Sequence, residues 1–103
     1  SSSSTSDLPA GVVKRSNRIW HTDKTGTVNS AAMTFDIRDV TGNNSLTVNP
    51  VTHYKLLYRS GTSGDFSTIK TANNIINSDN VVFSSVNLND GYYCIGVTQN
   101  NGL

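Results

Sequence analysis

Residues 90–97 read DGYYCIGV, and the fold class turns on how that octapeptide is understood. The Asp-Gly pair marks a turn. Beyond it, Tyr93, Ile95 and Val97 share one face of an extended chain, and Tyr92, Cys94 and Gly96 share the other. Aromatic and branched residues entered through a turn favour a strand. Cys94 is the only cysteine, so no intrachain disulfide forms. It reads as a small apolar residue buried late in the fold. A reactive thiol needs a cation nearby to lower its pKa. No His, Lys or Arg stands within five residues of Cys94 in sequence.

A late Tyr-x-Cys is a mark of immunoglobulin-like sandwiches, where the Tyr closes a corner and the Cys bridges the sheets. Tyr92 holds the position of the corner tyrosine, while Asp90 lies closer to the cysteine than that pattern has it. Working outward, the same two-residue period recurs. In AAMTFDI, Ala31, Met33, Phe35 and Ile37 oppose Thr34 and Asp36. In VTHYKLLYR, Tyr54, Leu56 and Tyr58 oppose His53, Lys55, Leu57 and Arg59. In NVVFSSVNL the phase slips between Phe83 and Val86, which predicts a bulge at Ser84-Ser85. VVKRSNRIW reads as a less regular first strand, and SLTV and FSTI as short ones. TIKTANNIINSDN reads as a strand and a loop, with room for one helical turn. Turn-rich stretches at 21–27, 40–45, 60–65, 77–80 and 89–91 separate these runs.

The expected fold is all-β, an immunoglobulin-like β-sandwich of two antiparallel sheets with about seven strands and no disulfide. Residues 1–7, SSSSTSD, read as a flexible linker, 8–99 as the sandwich domain, and 100–103 as a polar exit tail. No leader pattern opens the chain, and residues 1–103 read as a piece of a longer protein.

Composition narrows the function. The chain carries 8 Lys and Arg against 7 acidic residues, a net charge of +1, with no electrostatic footprint for nucleic acid. All the acids are Asp, which together with abundant Ser, Thr and Asn disfavours helix. The densest basic group, Lys14, Arg15 and Arg18, reads as a solvated strand edge. No run is long enough for membrane insertion by a helix. Sparse charge and a single cysteine suit a bacterial extracellular or cell-surface module, and fit a cytosolic one as well.

Two longer stretches carry a family likeness. LPAGVVKRSNRIWHTDKTGTV (8–28) is followed by MTFDI; YKLLYRSGTSGDFS (54–67) is followed by VVFSSVNLNDGYYCIGV (81–97). Arg15, Arg18 and Trp20, then Thr25-Gly26, Leu56-Leu57, Gly64-Asp65-Phe66, Val86, Leu88 and Asp90-Gly91 set the pattern. It resembles a β-sandwich module of large secreted and surface adhesin-like proteins of Bacteroidetes-type gliding bacteria. Relatives often carry an acidic loop after the Leu-Leu strand, where this chain has RSGTSGD and keeps only Asp65. The resemblance implies a non-catalytic structural or adhesive module, with neighbouring domains of the same polypeptide as partners.

Candidate sites are few. His21 and His53 with one cysteine do not make a zinc set, so no cofactor is expected. Asp36, Asp39, Asn43 and Asn44 offer oxygens for calcium, although turn-making by Asp39, Gly42 and Asn43 explains the same residues. No carboxylate pair or nucleophile motif points to catalysis. The alternative to a spacer is a carbohydrate-binding module, with surface polysaccharide on exposed Trp20, Tyr54, Tyr58 and Tyr92. Core packing of Trp20, with Arg18 over its ring, is the competing reading.

Overall fold

The computed structural model describes residues 3–23, 28–99 and 102–103, with only the backbone of 28–30. Strands β1 (Ser3–Ser4), β2 (Lys14–Ser16), β3 (Trp20–Thr22) and β4 (Val28–Asp36) lead into a one-turn helix, α1 (Ile37–Thr41). After a 3-10 turn at Val51–His53 come β5 (Tyr54–Arg59), β6 (Ser67–Thr71), β7 (Asn74–Ile76), β8 (Asn80–Leu88) and β9 (Gly91–Val97). One sheet runs β1-β2-β9-β5-β6, with β3 also on β9; the other runs β4-β8-β7, and all pairings are antiparallel. The protein is an all-β, sandwich-like fold of two sheets without a disulfide.

The inward faces are those the alternation specifies. Tyr54, Leu56, Tyr93, Ile95 and Val97 from the larger sheet meet Phe35, Val81, Phe83 and Val86 from the smaller. Apolar burial of this kind contributes roughly 1.5–3 kcal/mol for each large side chain removed from water. The bulge falls where the period slips. Met33 pairs Phe83 while Ala31 pairs Val86, so between these two pairs β8 has one residue more than β4. Ser85 absorbs it at φ 58, and the Ser84 amide donates to Asn73 Oδ1 at 2.8 Å instead of to the ladder.

The first strand is broken into β2 and β3, which both lie along β9. Ser16 manages the break: its hydroxyl donates to Arg18 O at 2.8 Å and accepts from the Ile95 amide at 3.3 Å. This split, together with β1 and β7, gives nine strand segments among the described residues where about seven are expected.

Three local expectations change. Ile37 is fully buried, but it opens α1 instead of ending a strand. Asp36 caps that helix by accepting from the Asp39 amide at 3.2 Å, and Gly42 closes it in the left-handed conformation. SLTV is a loop that inserts Leu46, and residues 67–80 form β6, β7 and a hairpin turn with no helical residue. The Thr25-Gly26 turn lies outside the described residues.

The assignment of residues 1–7 to a linker and 100–103 to a tail also changes. Over residues 3–7 the serine run is tied to the sheet, with Ser3 pairing Ser16 and Ser4 pairing Arg15. Residues 100 and 101 lie outside the described residues, but Gly102 and Leu103 are buried. Tyr54 Oη donates to Gly102 O at 3.1 Å, and Lys14 Nζ donates to Leu103 O at 3.2 Å. The physical reason is that backbone bonding to buried groups needs no apolar composition, so polar sequence did not reveal it.

Candidate functional site

β9 is buried on both faces. Its outward side, carrying Cys94 and Tyr92, lies under a second small core of Val12, Leu57 and Phe66, with Leu8 and Ile19 at the margin. Cys94 therefore points away from the space between the sheets, opposite to a bridging cysteine of an immunoglobulin domain. Burial pushes its thiol up to about 12, against the pull of Arg15 and Arg59. It is a packing residue with no thiolate at neutral pH. The corner role also moves by one residue. Tyr93, not Tyr92, turns its hydroxyl to the backbone of Asn89, accepting from N at 2.9 Å and donating to O at 3.3 Å.

Phe66 seals this outer layer at 1 % exposure, with the Arg59 guanidinium 4.2 Å and that of Arg15 5.2 Å from the ring centre. Arg15 is buried too, and so is no solvated edge charge. Its Nε donates to Ser6 O at 2.9 Å and its Nη1 to Ser16 O at 2.9 Å. Arg59 Nη1 donates to Asp7 Oδ2 at 3.1 Å and to Gly64 O at 2.8 Å, while the Phe66 amide donates to Asp7 O at 2.9 Å. The guanidinium of Arg15 is hydrogen-bonded through Nε and Nη1 and that of Arg59 through Nη1, while the buried Arg59 Nε has no partner among the described residues. The arginine-over-ring contact expected at Trp20 is thus found at Phe66.

The four aromatics proposed for a glycan surface do not form a row. Tyr54 is fully buried, its hydroxyl accepting from the Asn49 amide as well as donating to Gly102, so it has no ring face to offer. Burial also raises its pKa, the Asn49 bond acting the other way. Tyr58 packs on Tyr93 at 5.0 Å and donates to Asp90 O at 2.6 Å. Tyr92 lies on the outward face beside His21, ring centres 4.7 Å apart.

Of the four, Trp20 borders a cleft among the described residues. It is half-buried, edge-on to Phe35 at 4.9 Å and 74°. The cleft, of about 440 Å³, lies at the open side of the sandwich, between β3 and β4. Arg18, His21 and Thr22 line one wall, and Met33, Thr34 and Asp36 the other, with Asp39 and Val40 of α1 at the end. Arg18 and Asp39 form an exposed ion pair at 3.7 Å across it. Sequence reasoning pointed to Trp20 but missed Thr22 and Thr34, because nothing local says that β3 and β4 edge the same opening.

Among the described residues no three His, Cys, Asp or Glu side chains group as metal ligands, and no helix is long and apolar enough to cross a membrane. The oxygens weighed for calcium are partly committed: Asp36 caps α1, and Asn43 Oδ1 accepts from the Ser45 amide at 3.0 Å. No curated protein and no solved structure matches the chain. Residues 1–92 match the family described as Domain of unknown function (DUF8202), and the chain belongs to that family.

Proposed function

We propose that the chain is a non-catalytic β-sandwich module of a larger bacterial surface or secreted protein, spacing or presenting neighbouring domains. The observation that carries this reading is the double-sided burial of β9, with the segment at residues 3–7 clamped across its outward side by Arg15, Arg59 and Phe66. Such a layer spends the outer sheet face on rigidity instead of on a reaction cleft. Placement outside the cell rests on the sparse charge and on the likeness to adhesin-like modules.

The test is mechanical and chemical together. The chain is placed between two reference domains and stretched, and in parallel incubated with bacterial and plant polysaccharides. One cooperative rupture is expected, releasing roughly 3.3–3.6 Å for each ordered residue. No release of reducing sugar is expected. Early peeling of residues 3–13 at low force, or polysaccharide cleavage, would refute the proposal.

A further inference from the structure

We infer that the cleft between β3 and β4 binds one or two units of a neutral saccharide chain, with Trp20 as its aromatic wall. The inference goes beyond the spacer reading and does not depend on it. The volume, about 440 Å³, falls in the range of small-ligand sites and is enough for one or two sugar rings.

The lining chemistry selects the class. A sugar offers C–H faces for an aromatic wall and hydroxyls that both donate and accept. The cleft supplies the Trp20 ring, and the hydroxyls of Thr22 and Thr34, which make no hydrogen bond within the described residues. Arg18 and Asp39 add donors and acceptors, and they are exposed enough to exchange water for ligand. The cleft is lined by one guanidinium, Arg18, and two carboxylates, Asp36 and Asp39, so an anionic ligand gains no net attraction. A cationic ligand would want several open ring faces. Here Phe35 is only 4 % exposed and lies against Trp20, which leaves a single ring.

Trp20 is the only tryptophan, so its emission reports on this cleft alone. The whole chain is titrated with hexamers of β-1,4-linked glucose, mannose, xylose and N-acetylglucosamine, beside oligogalacturonate, choline and an extended Thr- and Val-rich heptapeptide. A saturable emission change with at least one neutral hexamer is expected, unaffected by 0.5 M salt. Arg18→Gln with Thr34→Val, both at exposed positions, should weaken it by about tenfold or more and leave the melting temperature unchanged. Trp20→Phe, followed by calorimetry, should weaken binding while keeping a ring against Phe35. The inference is overturned if no neutral hexamer binds, if only the acid, the cation or the peptide does, or if the variants bind like the parent.

Discussion

Removing the ring of Phe66 tests whether the outer layer belongs to the cooperative fold. Phe66 is 1 % exposed, and Phe66→Ala empties the space under two guanidinium groups, beside Leu57, Cys94 and Val12. Truncating a buried phenylalanine costs roughly 3–5 kcal/mol. Loss of each arginine–ring contact is part of that figure, at about 0.5–2 kcal/mol depending on desolvation. A domain of this size has a stability of only about 5–15 kcal/mol. At roughly 4–8 °C per kcal/mol, the melting temperature should fall by at least about 12 °C. Phe66→Leu keeps most of the apolar volume and should lose about a third of that. Melting is followed by circular dichroism and by Trp20 emission, which reports from the cleft at the other side of β9. Coincident curves would show one transition. A drop below about 4 °C for Phe66→Ala would refute the reasoning, since the layer would then be a loosely attached cover.

Four further outcomes are expected. Cys94 should react with a bulky thiol reagent only as the protein unfolds, and burst labelling in native buffer would contradict its burial. Because its folded pKa is raised from 9.0 to about 12, the unfolded chain loses this proton first as pH rises; stability is intact below pH 9 and declines between pH 9 and 12. Cys94→Ala should flatten that decline in an alkaline melting series. Gly91→Ala should cost at least about 2 kcal/mol, because φ is 145 and a methyl there would lie 2.7 Å from Arg59 O; wild-type denaturant stability would refute it. At the bulge, Ser85→Val should destabilise by about 1–2 kcal/mol at φ 58, whereas Ser85→Gly should be neutral or better, and equal effects in urea melts would argue against the strained bulge.

The readable parts of this chain are those where a side chain's fate is decided by its neighbours two residues away. Phe35, Leu56, Phe83 and Ile95 alternate with residues on the other face, so their strands and even the slip at Ser84-Ser85 could be placed. Where the partner is remote, the signal vanishes. Ser16 spans the strand break by reaching Ile95, and Phe66 is buried by arginines drawn from two separate strands. Nothing in SSSSTSD distinguishes a linker from a segment bonded to Arg15 and Arg59, because its contribution is made by backbone carbonyls and by Asp7. Helix α1 has five residues, too few to display a period, and only its two caps announce it. The tyrosines looked alike in sequence, and hydrogen bonds at 2.6–3.1 Å commit the hydroxyls of Tyr54 and Tyr58 to the backbone.

The place of β9 has a consequence for how the chain is made. Among the described residues it is the last strand in sequence and the middle one of its sheet, flanked by β5 on one side and by β2 and β3 on the other. Its pairing with β2 joins Lys14 to Val97, across some eighty residues of intervening chain. Until Val97 has left the ribosome, β2 and β3 lack the strand they both lie along, and β5 has one open flank. Such distant pairing slows folding, and exposed strand edges invite association with other chains. A nascent chain therefore forms its local β5–β6 and β7–β8 pairs first and stays open on its larger sheet until the final tyrosines arrive. Shielding during that interval falls to whatever holds the emerging chain, and a chain cut before β9 would keep its sticky edges for good.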